Sequence, residues 1–411
     1  MKLSIIVCIY NTPREYLRAS LKSIVRSTLD KYESEYEICI VDDGSSIDYS
    51  DLVSEFGAKY IKTENRGILK ARLSGIEMSS GEYIAFCDAD DTVSTLYYSP
   101  MLDCAYEDGA DIVINDWAYH AGERKYYCKN DLTVKNDIDA CGADALKLFF
   151  EGEGKHHSLF VLWNKIYRAQ LLKGAKEQIE KSGQLDSSYG EDVLINFLAW
   201  RNAKRVKNIH RGYYFYRIHE GQAVRAGSPS KLKKQIKSMT ETLDFMEKEL
   251  TTHPNRNELV AYLNSWRDLN ARYHYTVARE NDYTILYDYI LEKYKQTDLE
   301  IAKKEDSVSY FHKIYLGDNF DEIDEALLSL WQSGTKNIRY KKGNRYTDSY
   351  VEYLLENGKI TVNKKSRADF YVPKRKVSLK NRLRFNPTIY KLSLVFFKKN
   401  SKLRARLKNK L

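Results

Sequence analysis

The sequence predicts an α/β protein: a mostly parallel sheet flanked by helices, followed by a mainly helical C-terminal region. Three observations predict it. Over roughly the first ninety residues, short β-branched apolar runs alternate with amphipathic stretches at helical spacing. The apolar runs end in clusters of polar and acidic residues, as strands do at a ligand-binding rim. After AGSPS at 226–230 the composition turns charged and helix-like, with few glycines.

Residues 3–9, LSIIVCI, form a buried-strand pattern. A helix follows in NTPREYLRASLKSIV. Thr12 can cap it, Pro13 suits its first position, Glu15 completes a capping box, and Leu17, Leu21, Ile24 and Val25 recur at helical spacing. YEICIV (36–41) reads as the second strand and DDGSS as the turn after it. AKYIK (58–62) is a short third strand. GILKARLSGIEMSS (67–80) is a helix with Ile68, Ala71 and Ile76 on one side, and EYIAFC (82–87) is a fourth strand. This β-α-β-β-α-β order implies a largely parallel, helix-covered sheet. Further on, ADIVIND (110–116) is another strand, and SLFVLWNKIYRAQLLKG (158–174) takes helical spacing in its latter part. GEDVLINFLAWRNA (190–203) is a helix, and KNIHRGYYFYRIHE (207–220) a strand with alternating tyrosines. Asn-Gly in ENGKITVNKK (356–365) signals a hairpin. Three regions result: an α/β domain over 1–226, a mainly helical accessory domain over 227–370 for acceptor binding or oligomerisation, and a basic tail over 371–411.

A chain of 411 residues with 43% hydrophobic content can bury a sizeable core. Six cysteines without CxxC spacing argue against a structural zinc site. Cys8, Cys39 and Cys87 lie in apolar runs and read as free thiols of a reducing, cytoplasmic compartment. No apolar run reaches the ~20 residues of a membrane span, and MKLSIIVCIYN reads as a first strand rather than a leader. The net charge is +9, yet residues 374–411 alone hold fourteen Lys/Arg and no Asp/Glu. The basic character thus belongs to the tail. Over 383–411 it is interleaved with Ile389, Leu392, Leu394, Val395, Phe396 and Phe397. That pattern suits an amphipathic helix on an anionic membrane surface, peripheral at the inner face of the cell membrane. A nucleic acid is not the expected partner; a second copy of the chain, as a homo-oligomer, is a candidate one.

Open parallel sheets bind ligands at the carboxyl ends of their strands. Those ends read Tyr10-Asn11, Asp42-Asp43-Gly44-Ser45, Asn65-Arg66-Gly67 and Asp88-Ala89-Asp90-Asp91, so polar groups gather at one rim. Asp88 and Asp90 alternate along an extended chain and share a side. Two such carboxylates repel unless hydrated or bridged by a cation, and carboxylate oxygen suits Mg²⁺ or Mn²⁺ beside substrate phosphates. A solvated acidic turn accounts for the same residues taken alone. An EF-hand does not fit, because Val93 stands where its loop needs glycine.

In this order and at these intervals, IIVCIYN, IVDDGS, ENRGILKAR and FCDADD resemble the family-two glycosyltransferases of the GT-A fold, a Rossmann-like mostly parallel sheet flanked by helices. VLWNK, GED and YFYRIH extend the likeness to about residue 220 and are similar to members that build bacterial cell-surface polysaccharides. Cys8 stands where many relatives carry proline, a position that supplies mainly backbone. The resemblance implies an inverting, metal-dependent enzyme using a UDP-sugar donor and Mn²⁺ or Mg²⁺. Its acceptor would be a glycan or lipid-linked glycan, and its product a capsule, exopolysaccharide, teichoic acid or glycoprotein glycan. By the same likeness Tyr10 stacks on the base and Asp42 accepts the uracil imide N–H. Asn65 and Arg72 lie near ribose and diphosphate, Asp88 near the ribose or the metal's water shell, and Asp90 bridges metal to diphosphate. Asp192 of GED is the general base for the acceptor hydroxyl, with Glu191 supporting. His219 is a metal or phosphate ligand, Arg217 lies on the phosphate side, and Trp163 and Lys165 stand beside the acceptor.

Plainer readings stand next to these. Acids in the first turn of a helix are favoured by its macrodipole. Trp163 can be ordinary core, and a lone histidine is more often structural. Two other functions also remain open. One is a nucleotidyltransferase, although YNTPRE occupies the place of the Gly-rich phosphate loop that class needs. The other is a non-catalytic membrane- or nucleic-acid-binding scaffold built on a GT-A domain.

Overall fold

The computed structural model describes residues 1–295 except 28–34, 96, 122–123, 129–136, 153–156, 184–188 and 218–227. Beyond 295 it describes the backbone of three short strands. Four parallel strands form one half of the sheet: β1 (Leu3–Ile9), β2 (Tyr36–Asp42), β3 (Lys59–Lys62) and β4 (Tyr83–Phe86), in spatial order 3-2-1-4. The register pairs Ile9 with Asp42 and Asp42 with Lys62, so the polar strand ends align at one rim.

The other half mixes directions. After β5 (Thr92–Val93), β6 (Ile112–Ala121), β7 (Arg124–Cys128) and β8 (Asp139–Cys141) comes β9 (Lys165–Arg168), which runs antiparallel between β4 and β6. The long β10 (Arg205–Arg217) runs parallel to β6 and antiparallel to β5 and β8. The sequence assigned residues around 165 to the approach of a helix. A four-residue strand is too short for its period to stand out from the helical pattern that follows.

Alternation along β1 sorts the two faces. Leu3, Ile5, Val7 and Ile9 pack with Leu17, Leu21 and Ile24 of α1 (Arg14–Ser27), Leu52 of α2 (Ser50–Glu55) and Met101. Ile6 faces the other core, with Leu69, Leu73 and Ile76 of α3 (Ile68–Met78). On the first face lies α4 (Ser99–Asp108); on the second lie α5 (Ala143–Glu151), α6 (Ala169–Ser182) and α7 (Glu191–Asn202). The sequence did not reveal α2, a six-residue helix with Asp48 accepting from the Ser50 N–H at 2.9 Å.

The expected boundary near 226 lies outside the described residues. The helices after it, α8 (Pro229–Glu249), α9 (Arg256–Glu280) and α10 (Tyr287–Tyr294), share one apolar core with α5 and α7 through Leu232, Ile236, Leu243, Leu263 and Ile290. Trp266 keys α9 onto α5. Its indole lies within 5.1–5.5 Å of the Phe149, Phe150 and Phe160 rings and donates to the Phe150 carbonyl. Each such ring pair adds about 0.5–1.5 kcal/mol beyond burial. α8 starts as its sequence dictates, with Ser228 capping the Lys231 N–H and Pro229 in the first turn. Of the hairpin expected at 356–365, the described pair Thr361–Val362 runs parallel to Asn337–Ile338 instead of along an adjacent arm. The tail at 383–411 lies outside the described residues.

β3 ends the sheet, and all four of its residues are exposed.

Candidate active site

The loop after β2 is built around one glycine. Gly44 holds φ +84°, and a Cβ there would lie 2.7 Å from the Asn65 backbone nitrogen. Only glycine lets this turn close onto the 65–67 loop. Asp43 completes the junction: its carboxylate accepts from the Arg66 and Gly67 N–H groups at 2.8 and 2.9 Å, at the start of α3. Its neighbour Asp42 is wholly enclosed. Oδ1 accepts from the Ser45 N–H and Oδ2 from the Tyr60 hydroxyl, both at 2.7 Å. Tyr10, at the end of β1, is 55% exposed and offers an open ring beside this loop. Asn65 is also exposed.

The Asp88–Asp91 loop is braced from β10. The Tyr214 hydroxyl accepts from the Asp88 N–H at 3.0 Å and donates to Asp91 Oδ2 at 2.8 Å. The Arg217 N–H donates to Asp91 Oδ1, and its guanidinium donates to the Asp90 carbonyl and lies over the Tyr16 ring. Arg217 therefore holds the loop that carries the acids. Burial, then Asp90 and Asp88, push the Asp91 carboxyl well above its usual range. Asp91 is the structural acid of the three, while Asp88 and Asp90 remain half-buried at the rim. Tyr214→Phe removes both hydroxyl bonds from a buried position. It is expected to cost about 1–3 kcal/mol, read as a lower thermal midpoint with the secondary structure unchanged.

Across the rim, Gly190 at φ +86° turns the chain into α7, placing Glu191 and Asp192 in its first turn. Arg72 of α3, 5% exposed, reaches three carboxylates. Nη1 is 2.8 Å from Glu191 Oε1 and 3.3 Å from Asp192 Oδ1; Nη2 is 3.5 Å from Asp88 Oδ1. Burial opposes the Arg72 charge, but Asp192, Glu191 and Asp88 hold it firmly protonated. Burial pushes Glu191 up to about 8, with Asp192 adding to the rise and Arg72 opposing it. Burial likewise pushes Asp88 up to about 6; Arg72 pulls it down, and Asp90 and Asp192 push it further up. The Cys8 thiol beneath this cluster is pushed up to about 12 by burial and so stays neutral.

Asp88, Glu191 and Asp192 thus meet around one guanidinium, with Asp90 and Asp91 next to Asp88 in the same loop. Among the described residues no group of three or more His, Cys, Asp and Glu is arranged to hold a metal ion. Asp88 and Asp90 fit a cation that takes one or two carboxylates and completes its shell with phosphate and water. The crowding supplies the electrostatic reason for one.

Trp163 and Lys165, expected beside the acceptor, are core residues. Trp163 is 2% exposed and stacked on Tyr214 at 4.3 Å. Lys165 donates to the carbonyls of Ser158 and Val161 and to Asn164 Oδ1, which pins the 158–164 loop from inside. Contact with an acceptor would require that core to open. His219 lies outside the described residues. The sequence reading placed Asp43 and Asp91 at the rim without a role of their own, and did not single out Tyr60 or Tyr214. Only Asp43 and Asp91 carried a signal, as second members of acidic pairs.

Residues 4–169 match the family model described as Glycosyl transferase family 2. EpsH of Bacillus subtilis (strain 168), which bears the name glycosyltransferase, is 30% identical over 285 residues, 66% of this chain and 79% of EpsH. The glycosyltransferase GlyA of Streptococcus pneumoniae is 27% identical over 253 residues, covering 60% of this chain but 34% of GlyA. Among solved structures, S. aureus TarS 1–349 in complex with UDP-GlcNAc superposes with a TM-score of 0.52 at 18% identity, over 81% of this chain and 85% of that one. That likeness concerns the fold. With the strand-end motifs at one rim of a mostly parallel, helix-flanked sheet, these matches place the chain in glycosyltransferase family 2, on a GT-A-like fold.

Proposed function

We propose that the chain transfers a sugar from a UDP-sugar to a hydroxyl of a growing cell-surface glycan, in one inverting displacement. One observation carries this reading. The donor-side acids after β4 and the acids opening α7 meet around a single guanidinium, although more than a hundred residues separate them in sequence. A direct displacement needs a leaving-group site and a base on opposite sides of the sugar; in this reading Asp88 and Asp90 serve the first and Asp192 the second. Tyr10 supplies the face for the base. Asp42 is the acceptor for an imide N–H once the Tyr60 hydroxyl yields or shares its oxygen. Asp192 takes the proton of the attacking hydroxyl. Asp88 and Asp90, with His219, would hold Mn²⁺ or Mg²⁺, which when bound neutralises charge on the departing diphosphate. The TarS complex with UDP-GlcNAc supports the choice of a UDP-sugar. Lipid-linked acceptors, and attachment through 383–411 to an anionic membrane, complete the proposal. No helix among the described residues is long and apolar enough to cross a membrane.

The test is a thermal-shift screen of nucleotides with and without Mn²⁺, followed by product analysis. UDP and one UDP-sugar should raise the melting point in the presence of Mn²⁺, and turnover should release UDP. Release of pyrophosphate would instead mark a nucleotidyltransferase. No shift with any nucleotide would leave the scaffold reading.

A further inference from the structure

We infer that Arg72 is a positioning residue for the general base, not a contact to the donor's phosphates, and that it couples the donor-side loop to the acceptor-side helix. This inference rests on the reading of Asp192 as base.

The geometry leaves Arg72 little else to do. Its guanidinium is 5% exposed, inside the molecule rather than at the rim. Nη1 serves the opening turn of α7, through Glu191 and Asp192; Nη2 serves Asp88 at the end of β4. A phosphate would have to displace these partners and enter a site already crowded with carboxylates. The planar fork of arginine suits such a bridge, because its donors sit at fixed angles to one another. The ion pair to Asp192 Oδ1 at 3.3 Å, with the half-buried setting of that side chain, restrains how the carboxylate is presented to a substrate proton. Glu191, at 2.8 Å from Nη1, anchors the guanidinium to the opening turn of α7, from which the group also reaches Asp192 and Asp88. Any shift of the Asp88 loop on donor binding is then felt through one rigid group at the base.

The experiment compares Arg72→Lys with the native enzyme, and repeats the substitution in an Asp192→Asn background. Lysine keeps the charge but cannot span three carboxylates. The expected result is a kcat lower by about a hundredfold, the size of loss seen when one oriented donor is removed from an active site, with UDP affinity in Mn²⁺ within about threefold. In the Asp192→Asn background the same substitution should cost less than about threefold more, since residues acting as one unit are not additive. Weakened UDP binding with kcat retained would overturn the inference, and so would full additivity with Asp192→Asn. If Arg72→Lys does not fold, Arg72→Met with Glu191→Leu removes the buried pair together and serves in its place under the same criteria. Native enzyme that releases no UDP would sink the functional reading itself, a result distinct from either outcome in the variants.

Discussion

Asp192→Asn is expected to turn over about a thousandfold more slowly than the native enzyme, with UDP affinity and melting point little changed. General-base catalysis contributes about 10²–10⁴, and an amide of the same shape accepts no proton at neutral pH. The substitution is gentle on structure. Asn keeps an oxygen for Arg72 Nη1, and it removes one acid from a group that already repels. Glu191 does not stand in for Asp192. It is buried, pushed up to about 8 and held by Arg72 at 2.8 Å. Single-turnover kinetics beside calorimetry of UDP binding separates the two effects. Full activity in the variant would remove Asp192 from the role.

Asp90→Ala is expected to lower Mn²⁺-supported turnover by about 10³, as befits loss of several kcal/mol of charge stabilisation at a departing diphosphate. The loop should survive, because Tyr214 and the Arg217 N–H hold it through the Asp91 carboxylate and the Arg217 guanidinium holds it through the Asp90 backbone carbonyl, all of which the substitution keeps. Asp90 also raises both Asp88 and Asp91, so its removal relieves strain between like charges. The melting point should therefore hold or rise, the usual cost-benefit pattern of an acid kept for function. Calorimetry should show that Mn²⁺ no longer tightens UDP binding. Unchanged metal stimulation would exclude Asp90 as a ligand.

Much of the catalytic rim could be read from local spacing. The apolar runs of β1, β2 and β4 bury side chains on both faces, so each stands out as a block that ends abruptly, β1 in Tyr10-Asn11 and the other two in acids. The GED turn was equally visible, because Gly190 and the acids after it sit together. What spacing could not supply were contacts across the chain. Tyr214 meets Asp91 over 123 residues, and Arg72 meets Glu191 over 119. Nothing near Tyr214 marks its hydroxyl as the strut under an acidic loop. Trp163 stayed open for a related reason: a flat apolar ring serves a sugar or a core equally well, and only the structure shows it buried and stacked on Tyr214. Arg72 was found as a residue, but its partners Glu191 and Asp192 lie in a motif far along the sequence and local spacing could not supply them.

The terminal strand β3 carries one further implication. Lys59 and Lys62 stand at its two ends, and the strand is exposed throughout. Lys59 is ion-paired with Glu37 at 2.6 Å and Lys62 donates to the Ser45 carbonyl at 2.7 Å, so both ammonium groups are anchored to β2 and the loop after it. Another chain pairing along β3 would have to accommodate two anchored ammonium groups and strip their remaining water, which disfavours edge-to-edge association.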